Sequence, residues 1–110
     1  MVEIELEPEV EGWIRNLSEH DYATVAIQIE RLEELGSTVR EPWSKHLGDG
    51  LYELRFNLRT VSWRISYYFA PNRRVVLLTV FRKQRQNERR EVTRARQAMR
   101  RCLAEHDHEN

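Results

Sequence analysis

Cysteine is nearly absent: Cys102 stands alone, so the chain cannot build an intramolecular disulfide framework, and it fits a reducing compartment. No apolar run approaches the roughly 20 residues that a membrane helix needs. The opening Met1-Val2-Glu3-Ile4-Glu5 lacks the basic and apolar regions of a secretory leader. A soluble, cytoplasmic protein with no membrane partner is therefore expected. Glycine is scarce, at four residues, and none of them builds a phosphate-cradling loop or a nucleophile elbow. Zinc spacing is missing too: His20, His46, His106 and His108 are scattered, and a polar terminal tail accounts for the last two. Neither a metal nor any other cofactor is expected.

Charge is what the sequence has in excess. Charged residues reach 33%, against roughly 25% in ordinary globular chains, yet 18 Lys+Arg balance 18 Asp+Glu. The balance hides a dipole along the chain. Residues 1–50 carry 12 acids and 4 bases, whereas residues 51–110 carry 14 bases and 6 acids. Within residues 82–101 there are 9 bases and 2 acids. Such asymmetry points to a polyanionic partner for the basic half. Acidic helices neutralising the basic segment within the fold would explain the same numbers.

At 110 residues the chain has room for one domain, spanning 1–110, with 105–110 read as a frayed polar tail. Val2–Leu6 alternates apolar and charged residues, the period of a strand with one buried face. Pro8 suits a first helical turn, and Val10, Trp13, Ile14 and Leu17 follow at helical spacing. Ser18 restarts the pattern with Asp21 three residues on. The second helix carries Tyr22, Val25, Ala26, Ile29 and Leu32 and closes at Gly36. Residues 36–50 read as a loop. Strands are predicted at Leu51–Leu58, Val61–Phe69 and Arg74–Arg82, followed by a basic helix after Gln86. The fold class is α+β in the order β-α-α-β-β-β-α, with a mainly antiparallel twisted sheet, an N-terminal helical hairpin and a C-terminal helix.

Register then decides where the cations land. A tight turn at Arg59-Thr60 pairs Phe56 with Trp63 and Leu54 with Ile65, so the apolar sets coincide. It also sets Arg55 directly across from Arg64. A turn at Pro71-Asn72 pairs Trp63 with Val80 and Arg64 with Thr79, and brings Lys83 onto the Arg64 face. Arg55, Arg64 and Lys83 would then share a face with Glu53, Ser66 and Tyr68. Like charges directly opposed cost up to about 1 kcal/mol, which a bound anion would offset. Glu53 and the acidic helices could satisfy the arginines instead. Cys102 falls on the apolar stripe of the last helix and reads as buried. Trp13 and Trp63 lie on core faces, which leaves Trp43 as the one tryptophan free to stack a base.

These residues carry a resemblance. Leu47-Gly48-Asp49-Gly50-Leu51-Tyr52-Glu53-Leu54-Arg55, then Trp63-Arg64-Ile65-Ser66-Tyr67-Tyr68, then Val76-Leu77-Leu78-Thr79-Val80-Phe81-Arg82-Lys83 resemble the RelE/ParE toxin superfamily, in its phage-derived HigB-like branch. The resemblance implies a RelE-like fold and the toxin half of a type II toxin–antitoxin module. It also implies an endoribonuclease that cuts mRNA on the ribosome and so inhibits translation. The 2′-hydroxyl would attack the scissile phosphate, with cations stabilising the transition state. By this resemblance Arg64 contacts that phosphate, and Lys83, or neighbouring Arg82 or Arg85, is the basic residue after the last strand. Arg55 and Glu53 lie on the first motif strand, and Lys45 is the basic position before it. Glu53 or His46 would accept the hydroxyl proton and Lys83 or Tyr68 would supply one. Arg89 and Arg90, on the basic helix, would add RNA contacts. The sequence departs from relatives that carry a late tyrosine or histidine for proton transfer, since no tyrosine follows Tyr68. The implied partner is an antitoxin of helix-turn-helix type with an acidic segment. A ParE-like gyrase inhibitor without nuclease activity and a non-catalytic nucleic-acid-binding module are the alternatives.

Overall fold

In a computed structural model the described residues are 1–108, with side chains described through Glu105. The alternation at the N-terminus forms β1 (Glu3–Leu6), and Pro8 opens α1 (Pro8–Arg15). The Ser18 hydroxyl accepts the Asp21 N–H at 3.1 Å, capping α2 (Glu19–Leu35). Three more strands follow the predicted bounds within a residue: β3 (Leu51–Leu58), β4 (Val61–Ala70) and β5 (Arg74–Arg82). The final helix α3 (Glu88–His108) runs past Glu105, where a frayed tail was expected; Glu109 and Asn110 lie outside the described residues. No described helix is long and apolar enough to cross a membrane.

The segment 36–50, read as a loop, instead holds a further strand, β2 (Ser44–Gly48), so the order is β-α-α-β-β-β-β-α. Its residues show no apolar alternation. They become a strand because β3 offers an unpaired edge, with Lys45 opposite Glu53 and His46 opposite Tyr52. Ser44 hydrogen-bonds the buried Tyr67 hydroxyl, and the His46 ring stacks on Tyr52 at 4.5 Å between centroids. The sheet order is β1-β5-β4-β3-β2, with β1 parallel to β5 and the other pairs antiparallel.

Each face of the sheet buries its own core. Leu54, Phe56, Leu58, Ile65, Tyr67, Val75 and Leu77 pack beneath α1 and α2 with Val10, Val25 and Leu32. Leu51, Tyr68, Ala70, Val76 and Leu78 pack beneath α3 against Ala95, Ala98 and Cys102. The β3–β4 register is the expected one, with Arg55 opposite Arg64. The β4–β5 register is not. The turn takes three residues, with Asn72 and Arg73 both at positive φ (65° and 59°), and the register shifts again at Ser66–Tyr67. Val75 and Leu77 therefore face the helical hairpin, while Leu78 and Thr79 both sit on the α3 side; a bulge stacks two consecutive residues on one face in this way. Beyond it Trp63 pairs with Arg82 and Arg64 with Phe81, rather than with Val80 and Thr79.

Arg94 ties α3 to the rest of the molecule. Its guanidinium pairs with Glu9 of α1 and Glu91 of α3 and donates to the Val80 carbonyl at 3.2 Å. The side chain is 38% exposed, so solvent screens these pairs. Arg94→Ala should lower stability by only about 1 kcal/mol, with the difference shrinking in high salt when denaturant midpoints are compared.

Candidate active site

Three cross-strand rows at one end of the sheet gather most of the predicted site. The first row runs Lys45, Glu53, Ser66, Thr79 across β2, β3, β4 and β5. The second is Arg55, Arg64, Phe81. The third begins with Asn57 and Ser62. Lys83 extends it, because its N–H donates to the Ser62 carbonyl at 2.8 Å. Neighbours within a row lie about 4.8 Å apart and adjacent rows, two residues on, about 7 Å apart, so their side chains share one surface. The apolar core beneath α3 occupies the sheet beyond the first row. That leaves the second and third rows as the open end.

Glu53 organises this end. Its side chain is 1% exposed and lies beneath two arginines. Arg55 Nε donates to Glu53 Oε1 at 3.2 Å, and Arg64 Nε stands 3.7 Å from the same oxygen, an ion pair without a hydrogen bond. Glu53 Oε2 has no hydrogen-bond partner. Burial pushes the Glu53 carboxyl up from its ordinary value, outweighing the opposite pull of Arg55. Burial, then the charge of Arg55, pulls the Arg64 guanidinium down. The two arginines thus share the single Glu53 carboxylate. Around them stand Lys83, 3.3 Å from Glu88 Oε2, and Lys45, the cross-strand neighbour of Glu53. Four cations face two carboxylates.

The raised Glu53 pKa carries a sign. The folded chain holds a proton more readily than the unfolded one above pH 4.5. Its contribution to stability is full below that value and is lost as pH climbs through the raised one. Measured against Glu53→Gln, which does not titrate, the wild type should lose relative stability from acidic toward neutral pH. Parallel urea midpoints across that range would contradict this.

A cleft of about 390 Å³ opens beside the arginines, lined by Arg55, Arg64, Asn57, Ser62, Trp43 and Gln28 among others. A family model described as "Phage derived protein Gp49-like (DUF891)" matches residues 12–100, most of the chain. The chain belongs to this Gp49-like family. It is a RelE-like toxin family, and the fold agrees. The E. coli RelE (R/A double mutant) structure in the free state superposes with a TM-score of 0.60 at 17% identity, covering 91% of this chain and 96% of that one. The toxin in the intact E. coli RelBE toxin–antitoxin complex gives 0.58 at 14% identity, covering 77% and 100%. Isolated E. coli RelE gives 0.57 at 14%, covering 86% and 97%. No curated protein matches the sequence.

In this Gp49-like protein the fold divides the sequence-predicted residues. It brings together Arg55, Arg64, Glu53, Lys45 and Lys83. Lys83 sits at the rim, two strands from Arg55 and outside the cleft lining. Three of the expected residues lie elsewhere. His46 lies opposite Tyr52 and stacks on it, on the helical-hairpin face of the sheet. Arg82 lies opposite Trp63 and shares that same face. Tyr68 is on the site face but 4% exposed beneath α3, where its hydroxyl donates to Cys102 Sγ at 3.1 Å and burial raises its pKa. His46 and Arg82 thus lie on the sheet face opposite the arginines, and α3 covers Tyr68. Glu53 lies with the arginines but is only 1% exposed, beneath the two guanidinium groups. Arg85, Arg89 and Arg90 are exposed on the β5–α3 connection and the first turn of α3. Arg89 and Arg90 border a separate shallow concavity.

Sequence reasoning missed Glu88 and the β3-edge cleft. Glu88 carries a weak signal, as the first acid in the basic run, directly after the Asn87 that closes the β5–α3 connection through Gln84 N–H. The cleft carries none, because it depends on β2 beginning only at Ser44.

Proposed function

We propose that the protein is the toxin of a type II toxin–antitoxin module and an endoribonuclease of HigB-like character that cleaves mRNA on the ribosome and so inhibits translation in the cytoplasm. The observation that carries this reading is the cross-strand pair Arg55 and Arg64, held by one buried carboxylate and open to a cleft. Two cations on one carboxylate leave capacity for a phosphate. The RNA 2′-hydroxyl attacks the adjacent phosphorus, the P–O5′ bond breaks, and the products are a 2′,3′-cyclic phosphate and a 5′-hydroxyl. Arg55 and Arg64 neutralise the charge that builds on the phosphorane oxygens. Glu53 fixes the two guanidinium groups against each other. The 2′-hydroxyl proton passes to water, and at the rim Lys83, ion-paired with Glu88, supplies the proton for the departing 5′ oxygen. Lys45, Arg85, Arg89 and Arg90 carry the flanking phosphates, which position the strand without reading its sequence. An antitoxin with an acidic segment covers the basic half of the chain, in keeping with the RelBE complex to which the fold is similar.

A ParE-like inhibitor of gyrase without nuclease activity is the second reading, and one observation favours it: neither Tyr68 nor His46 reaches the open end of the sheet. Mapping 5′-hydroxyl ends on a message incubated with ribosomes and purified protein separates the two. New ends with wild type support the nuclease. Absence of ends, together with loss of gyrase supercoiling activity, supports the inhibitor.

A further inference from the structure

Trp43 is, with Tyr22, an exposed aromatic residue that neither core absorbs. It stands at the free edge of β3, just ahead of β2, and its carbonyl accepts the Arg55 N–H at 2.8 Å. The side chain keeps 43% of its surface exposed. Arg31 lies over the indole, its guanidinium carbon 4.2 Å from the ring centroid, which holds the ring in place. Arg31 also donates to Gln28 Oε1 at 2.8 Å. A guanidinium has donors only, so that contact fixes the amide: oxygen toward Arg31, NH₂ turned elsewhere. Ser62 and Asn57 are hydrogen-bonded to each other at 2.9 Å in the same cleft, next to Arg55 and Arg64.

We propose that Trp43 is a stacking platform for the single-stranded nucleobase beside the phosphate held at Arg55 and Arg64, with Gln28 and Asn57 contacting the polar edge of that base. The inference rests on the ribonuclease reading and adds its specificity determinant. One π-face, amides and two cations within one cleft match the parts of a nucleotide: base, base edge and phosphate.

The test uses two fluorescent probes of equal length and charge: a single-stranded 2′-deoxy oligonucleotide, which has no 2′-hydroxyl to attack, and its abasic counterpart. Trp43→Ala should weaken binding of the base-carrying probe on the order of tenfold and leave the abasic probe unchanged. Trp43→Phe should restore most of the affinity. Arg64→Ala should weaken both probes. If Trp43→Ala leaves both probes unchanged, or weakens both equally, while Arg64→Ala still weakens them, the stacking role is wrong and the ribonuclease reading survives. If Arg64→Ala weakens neither, the phosphate site itself is wrong and the inference goes with it. Loss of affinity for an acidic peptide, with oligonucleotide binding intact in Trp43→Ala, would assign the face to a protein and overturn the proposal.

Discussion

Arg64→Ala should lower the rate of message cleavage by on the order of 10²–10³-fold, the usual cost of removing one well-placed donor from a site of developing negative charge. The size of the effect follows from where Arg64 sits. It lies on a central strand, 13% exposed, flanked by Arg55 across the ladder and propped by Glu53 from below. Its Nη1 donates to the Trp63 carbonyl at 3.0 Å and its Nε stands 3.7 Å from Glu53, so the guanidinium is oriented before the phosphorane forms. Arg55 lies 26% exposed on the next strand and nearer the cleft edge, so Arg55→Ala should cost less. Arg64→Lys should recover part of the loss, because an ammonium keeps the charge but loses the planar fork. The measurement is the rate of appearance of 5′-hydroxyl ends at saturating protein, with melting temperature as the check on folding. Equal cutting by wild type and Arg64→Ala would overturn the nuclease assignment.

The second large effect is on stability. Glu53→Ala should destabilise the fold by about 3 kcal/mol, the lower end of the range for breaking a buried ion pair. Arg55 and Arg64 would be left facing each other across the ladder with no carboxylate between them. Glu53→Gln should cost far less, because its amide oxygen still accepts from Arg55 and the expense of burying a charge disappears. Removing Arg64 as well should relieve the repulsion. The double variant Glu53→Ala/Arg64→Ala should therefore lose less than the two single variants combined, as expected for residues in one network. Strict additivity in a double-mutant cycle from urea titrations would show that Glu53 does not hold the arginines. Glu53→Ala should also slow cleavage, since arginines without their prop lose their orientation.

Much of this architecture is legible in the residues. The sheet hairpin from Leu51 to Ala70 follows from alternation on both strands, which fixes the parity of pairing, and the two-residue turn at Arg59-Thr60 selects the register. That register forces Arg55 opposite Arg64 whatever the rest of the chain does. Ser18 and Gly36 mark the bounds of α2 in the same local way. The β4–β5 pairing was not legible, because β5 reads Val75-Val76-Leu77-Leu78-Thr79-Val80-Phe81 and is buried on both faces, so alternation cannot fix its register. Either pairing buries apolar side chains equally well, and the choice falls to a three-residue turn and a bulge. Tyr68 was misplaced for a related reason: its face of the sheet is right, but the helix that covers it comes from the far end of the chain. The Gp49-like family match and the RelE-like fold agree with the motifs but do not by themselves locate the cleft.

What the sequence by itself determined is the local pattern: the helix caps, the strands that alternate, the charge dipole along the chain, and the arginine pair across one hairpin. Those features depend on neighbours in sequence, or on one short turn. Only the tertiary structure decided that β2 pairs on the β3 edge, that α3 covers Tyr68 but stops short of Arg64, and that Trp43 and Gln28 line one cleft ahead of β2. Each of these depends on backbone edges and apolar faces that are left unsatisfied until distant segments close over them, and no local period records which segment arrives.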